Sequence, residues 1–215
     1  MIIALDGVYS AGKSTLIDLL ATRMAAESAR APLVSDWNSS ELVGDLIPGW
    51  KRDGRLGAHS LLFAEATDLA HRCETVINPG LEAGGTVITD RYVLSGMARA
   101  LIRGTDRSLT EAVFGFAPRE SLTVLVECPA RQTLERRKRL GKVLGGYHSG
   151  RDYRQGPSVD EDFVEYQEQM AELYRTLASA RGRVIRVNTS ETTPEECVEA
   201  IMSGVRELHS AALTR

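Results

Sequence analysis

The run Gly7-Val8-Tyr9-Ser10-Ala11-Gly12-Lys13-Ser14 fits the pattern G-x-x-x-x-G-K-[ST], and the apolar segment from Ile2 to Asp6 leads into it. Glycines at those positions let the backbone N–H groups around Ser10, Ala11 and Gly12 curl about an anion, while the start of a helix at Lys13 adds partial positive charge. Lys13 is placed to reach the outer phosphates of a nucleoside triphosphate, and Ser14, followed by Thr15, to hold Mg²⁺ through its hydroxyl. The expected ligands of this loop are a nucleoside triphosphate and Mg²⁺. A carboxylate at the end of a neighbouring strand should serve the metal, and Asp90 closes the β-prone run Thr86-Val87-Ile88-Thr89. Capping the next helix is the competing use of Asp90. Arg91 beside it carries a planar fork suited to a second anion.

A second basic feature lies farther along. Arg131, Arg136, Arg137, Lys138, Arg139 and Lys142 precede Arg151 and Arg154, with Gly141, Gly145, Gly146, Gly150 and Gly156 interspersed. Cations on both sides of a glycine-rich segment have the composition of a lid, about residues 136–157, that closes over phosphates and stabilises charge in the transition state. Arg136 and Arg151 are the lid residues expected to take part in catalysis. Solvated helix charge is the ordinary reading of each cation taken singly.

Helical spacing of Leu16, Leu19, Leu20 and Met24 predicts a helix from Lys13 to about Glu27, so the phosphate loop joins strand to helix. Pro32 to Ser35 offers a weak second strand. A short helix is expected over Glu41 to Ile47, capped by Ser39 or Ser40 and closed by Pro48-Gly49. From His59 to Ile77 the positions Leu62, Phe63, Ala66, Leu69, Ala70 and Cys73 form one helical face, with Pro79-Gly80 as the stop. Further strands are expected at Thr86–Asp90, Leu122–Val126 and Val184–Val187, with helices through Ala98 to Ile102 and from Asp160 to Ala180. This alternation predicts an α/β fold with a parallel sheet, helices on both faces, and ligands at the carboxyl ends of the strands.

The 215 residues, of which 43% are hydrophobic and 26% charged, suit one globular domain over residues 1–215. A formal net charge of -3 gives no general attraction to nucleic acid or an anionic membrane. Cys73, Cys128 and Cys197 form no disulfide or metal spacing, so a reducing cytoplasm is expected. The apolar N-terminus reaches Asp6 too soon for a signal peptide or membrane span.

Taken in order, the phosphate loop, Leu61-Leu62-Phe63-Ala64, the Pro79 to Gly84 turn, Asp90-Arg91-Tyr92 with Ser95, the strand ending at Cys128-Pro129, the basic lid and Phe163 to Tyr174 resemble the thymidylate kinase family of P-loop nucleoside monophosphate kinases. The resemblance implies a P-loop NTPase fold with a five-stranded parallel sheet, γ-phosphoryl transfer from ATP to a nucleotide, and a homodimer. It implies that Phe63 stacks on the acceptor base, that Arg91 holds the acceptor phosphate and that Ser95 lines the acceptor site. It would also turn Tyr166 toward the acceptor, a core or dimer position being the other reading. The departures fall on the acceptor side. Thr67 stands where the family carries a base-reading Arg, Arg99 where it carries a Tyr, and Tyr9 where its phosphate loop carries an acid. Losing a positioned partner in a substrate pocket changes selectivity by orders of magnitude.

The leading expectation is therefore an ATP-dependent nucleoside monophosphate kinase with an altered acceptor pocket, for which thymidylate need not be the acceptor. A deoxynucleoside-type or other small-molecule hydroxyl kinase is the alternative, with Asp36 at the end of the second strand as base; a plain loop or cap role competes for Asp36. A nucleotide-dependent switch is the third class, and it lacks both an Asn-Lys-x-Asp motif and an Asp-x-x-Gly after the Asp90 strand.

Overall fold

The computed structural model describes residues 1–28 and 30–213. In chain order its elements are β1 (Ile2–Gly7), α1 (Lys13–Glu27), β2 (Leu33–Ser35), α2 (Leu46–Arg52), α3 (Ala58–Arg72), a π-helical turn (Cys73–Ile77), α4 (Asn78–Glu82), β3 (Val87–Asp90) and α5 (Val93–Leu101). There follow α6 (Arg107–Val113), β4 (Leu122–Glu127), α7 (Ala130–Arg139), a 3₁₀ turn (Gly146–Ser149), α8 (Val159–Ala178), β5 (Val184–Asn188) and α9 (Pro194–Leu213).

All five strands are parallel, in the order β2-β3-β1-β4-β5. β1 is buried at every position, as continuous apolar runs are when helices cover both faces. Because β2 and β3 lie on one side of β1 and β4 and β5 on the other, a crevice opens at the carboxyl ends of β1, β3 and β4. Register puts Asp90 opposite Leu5 and Val126 opposite Gly7, so the phosphate loop and the Asp90-Arg91 corner emerge side by side.

Two predicted boundaries move. Residues 41–45 form turns, and the helix begins at Leu46 and contains Pro48-Gly49. Proline sits in its first turn, where no N–H is needed. The reason for the delay is Asp68 on α3, whose carboxylate accepts the backbone N–H of Asn38 at 3.1 Å and of Ser40 at 3.0 Å and holds the preceding loop in non-helical form. Pro79-Gly80 likewise lies within α4, preceded by the π-helical turn, and the chain turns at Gly84 (φ 72°) instead. The inner face of α3 also differs from its apolar period: Glu65, Asp68 and Arg72 are buried on it, whereas Phe63 is 51% exposed. Paired charges can be buried where single ones cannot.

Candidate active site

Gly7 ends β1 at φ 149°, and a Cβ there would lie 2.2 Å from the carbonyl oxygen of Val126, so only glycine lets the loop leave the sheet here. Ser10 and Gly12 also take positive φ. The curl leaves Ser14 and Thr15 exposed at the start of α1 and Lys13 buried, its Nζ donating to the carbonyl oxygens of Gly7 at 3.2 Å and Val8 at 2.9 Å. Burial and the nearby Arg91 push the Lys13 ammonium well below its ordinary pKa. An incoming anion would repay both.

A cavity of about 630 Å³ joins the loop to Ser14, Asp90, Arg136, Arg137 and Thr189. Asp90 Oδ1 is buried there without a hydrogen-bond partner, as is Arg137 Nε. Arg136 is braced on the loop after β5: Nη1 donates to Thr189 Oγ1 at 3.0 Å and Nη2 to its carbonyl at 2.7 Å, while Thr189 Oγ1 donates to Ala11 O at 2.7 Å. An orphaned carboxylate oxygen, an exposed Ser14 hydroxyl and converging cations fit a magnesium-bound triphosphate.

Arg91 follows β3 at φ 63°, a left-handed backbone that costs a non-glycine residue about 1–3 kcal/mol and concentrates at functional sites. Its Nη1 donates to Gly7 O at 2.9 Å, to Tyr174 Oη at 3.1 Å and to Ser95 Oγ at 3.3 Å. Ser95 in turn donates to Asp6 Oδ1, which also accepts the Tyr92 N–H at 3.2 Å. Burial raises the Asp6 carboxyl pKa against the lowering by these bonds. Ser95 is thus fully buried, fixing Arg91 rather than facing open space.

Beyond Arg91 lies a buried polar cluster. Arg99 Nη1 donates to Glu65 Oε1 at 3.0 Å, Lys51 Nζ to the same oxygen at 2.7 Å, and Tyr147 Oη to it at 3.3 Å. The two cations hold Glu65 below the usual carboxylate range despite its burial, and burial drops Lys51 to about 8. The guanidinium groups of Arg72 and Arg99 lie 5.3 and 5.0 Å from the Trp37 ring. Tyr166 is buried, its hydroxyl accepting from Arg103 at 3.1 Å.

The other predicted residues fall around this core. Asp36 is exposed after β2, its carboxyl raised in pKa by desolvation and then by Asp90. Thr67 is exposed and bonds back to Phe63 O at 2.9 Å. Arg151 pairs with Asp162 at 3.0 Å, away from the phosphate cavity that Arg136 lines.

Sequence reasoning passed over Lys51, Glu65, Tyr147 and His148. For Glu65 a signal existed, a carboxylate between Leu62 and Ala66 on the apolar face of a helix. For Lys51 and the 3₁₀ turn none did, since their roles depend on partners far away in the chain.

A glycine-bearing loop of the G-x-x-x-x-G-K-[ST] pattern leaving the central strand of a parallel sheet, with a carboxylate at the next strand end and arginines from α7 beside it, defines a P-loop phosphotransferase fold. A thymidylate kinase family model matches residues 5–201. The probable thymidylate kinase 2 of Saccharolobus solfataricus is 29% identical, covering 87% of this chain and 87% of that protein. The thymidylate kinase of Desulfovibrio desulfuricans is 30% identical over 95% of this chain and 94% of its own. The probable thymidylate kinase of Pyrococcus horikoshii is 28% identical, with 97% and 91% covered. The chain belongs to the thymidylate kinase family, and is an ATP-dependent phosphotransferase of the nucleoside monophosphate kinase kind. Among the described residues no helix is long and apolar enough to cross a membrane.

Proposed function

We propose that the protein transfers the γ-phosphoryl group of ATP to a nucleoside monophosphate in a pocket altered from the one that reads thymine, as a single domain with residues 136–157 as its lid. The observation that carries this is Arg91: a strained, buried arginine fixed against the phosphate loop by its bond to Gly7, one step from Asp90, suits a second phosphate held in line with the first. The acceptor phosphate is already anionic, so alignment and charge neutralisation matter more than a general base.

Gly7, Ser10, Ala11, Gly12 and Thr15 form the donor cradle in this reading, and Lys13 trades its loop carbonyls for phosphate oxygens. Ser14 and Asp90 would hold Mg²⁺, which supplies charge neutralisation at the transferring group. Arg136 faces the same phosphates, and Arg151 joins them once it leaves Asp162. On the acceptor side Arg91 holds the phosphate, Ser95 supports it, and Phe63, Thr67, Arg99 and Tyr166 border the base and sugar. Thr67 is exposed and bonded to its own helix, which supports a pocket without the family's base-reading arginine. Exposed Leu33 and Val34 on the edge strand, with Leu42 and Leu46 nearby in the chain, support a homodimer. Three free, buried cysteines and a chain without general basicity support a cytoplasmic enzyme that binds neither nucleic acid nor membrane.

ADP release measured over a panel of nucleoside monophosphates tests the reading. At least one should be turned over, with Lys13→Ala lowering turnover about 10²-fold or more; silence with all of them would sink it. A hydroxyl acceptor remains the second reading because Asp36 is exposed and raised in pKa beside Asp90, as suits a base. It wins if nucleosides are turned over and Asp36→Ala cuts that rate about 10²-fold with ATP binding intact.

A further inference from the structure

Arg136 stands at the edge of the phosphate loop. A Cβ on Gly12 would come within 3.9 Å of its Nη1 and 3.7 Å of Thr189 Cγ2. A long side chain reaching from α7 loses rotamer freedom when it is kept in such a place, so something must hold it there. One residue does. Nη1 donates to the Thr189 hydroxyl at 3.0 Å and Nη2 to the Thr189 carbonyl at 2.7 Å, which grips the planar fork through both of its terminal nitrogens.

Thr189 is itself fixed on two sides. Its N–H donates to Glu127 O at 3.0 Å, one step past the last residue of β5, so the sheet sets its backbone. The turn beyond is closed by Asn188, whose Oδ1 accepts the Ser190 N–H at 3.1 Å and the Ser190 hydroxyl at 2.6 Å. The Thr189 hydroxyl has a single proton to give. Ala11 O lies 2.7 Å away against 3.4 Å for Glu127 O, so the proton goes to the phosphate loop and lone pairs are left for Arg136. One hydroxyl thereby joins the loop after β1, the loop after β5 and α7.

We infer that Thr189 is a positioning residue for phosphoryl transfer: its hydroxyl, anchored on Ala11, aims Arg136 at the transferring group. The cation that neutralises transition-state charge is then tied to the same loop that grips the donor. A cation aimed beforehand needs no reorganisation as charge develops, and a displacement on the order of 1 Å costs about 10²-fold in rate. This inference rests on the reading of Arg136 as a residue facing the donor phosphates, and deepens it.

Initial rates of ADP release test it, with ATP, Mg²⁺ and, as acceptor, whichever of dTMP, dUMP, dCMP, UMP, CMP, AMP and GMP is turned over fastest. Arg136→Ala should lower kcat about 10²-fold or more. Thr189→Val keeps the side chain's shape without its hydroxyl, and should lower kcat about tenfold or more with the KM for ATP held within about threefold. Thr189→Ser, which retains the hydroxyl, should restore kcat to within about threefold of the parent. On the Arg136→Ala background Thr189→Val should cost less than about threefold, because its effect passes through the missing guanidinium. The inference falls, and the role of Arg136 stands, if Thr189→Val keeps the parental kcat, if Thr189→Ser is as slow as Thr189→Val, or if Thr189→Val costs as much without Arg136 as with it. If Arg136→Ala keeps the parental kcat, the role of Arg136 and the inference fall together. With no monophosphate turned over, the kinase reading falls as well. Should Thr189→Val not fold, Thr189→Ala is read by the same criteria.

Discussion

Tyr9 of the phosphate loop and His148 of the 3₁₀ turn stack with ring centroids 3.8 Å apart and planes 9° from parallel. On Tyr9 also rests the guanidinium of Arg137, 4.5 Å from its centroid. Gln167 ties the same two segments together, accepting the Tyr9 N–H at 2.8 Å and donating to His148 O at 2.9 Å. The 3₁₀ turn is therefore fastened to the P-loop, and the fastening should respond to pH.

Burial first, then the charges of Arg99, Lys51, Arg91 and Arg137, hold His148 well below the ordinary value of 6.5. A histidine released from the stack binds a proton more readily than one inside it. As pH falls through about 6.5 the open form takes up protons that the closed form refuses, so closure weakens toward acid and is fully retained above that range. Hydrogen-exchange protection factors across residues 141–157, which take out the base-catalysed intrinsic rate, should drop between about pH 7 and pH 5, and His148→Phe, which keeps an aromatic ring against Tyr9 without a titrating group, should flatten that dependence. An equal drop in the variant would show that another group is responsible.

Arg91→Lys retains the charge and loses the fork. Nη1 alone makes the bonds to Gly7, Ser95 and Tyr174, and a single ammonium held by those partners has no second nitrogen with which to grip an anion bidentately. The expected outcome is a fall of about 10² in kcat/KM for the acceptor with little change in the ATP affinity measured by calorimetry. A matching loss of ATP affinity would mean that Arg91 serves the loop instead.

Gly7→Ala should destabilise by at least about 3 kcal/mol, since the added methyl meets the backbone of Val126 and no side chain can yield. Urea denaturation provides the number. A loss under about 1 kcal/mol would show that the β1–β4 register relaxes easily.

Asp68→Ala removes the carboxylate that pairs with Arg72 Nε at 3.1 Å, both side chains being at most 1% exposed, and that anchors the backbone after β2. Breaking a buried pair on one side costs about 3–5 kcal/mol. Thermal unfolding should register this loss, while added ATP should still raise the midpoint by as much as it does in the parent.

Local sequence was informative where one short segment does its work by itself. The phosphate loop, α1, β3 with Asp90-Arg91, and β4 are each legible from composition and period, because the glycine pattern, the helical spacing and the continuous apolar runs that mark them each lie within a few consecutive residues. The segment from Asp36 to Arg52 was not. Its helix starts late because Asp68, distant in sequence, captures two of its backbone N–H groups, and propensity carries no trace of that capture. Phe63 belongs to the apolar pattern of α3 and yet stays exposed, because the buried face is taken by Glu65, Asp68 and Arg72.

By itself the sequence determined the alternation of strand and helix, the glycine-bearing loop between β1 and α1 and the place of Asp90 at a strand end, since spacing and backbone freedom within a few residues suffice for each. Only the tertiary structure decided the buried polar cluster beyond Arg91. Lys51, Glu65, Arg99 and Tyr147 come from four separate elements, and a carboxylate placed among two cations and a hydroxyl is stable inside the protein only when all of them arrive together.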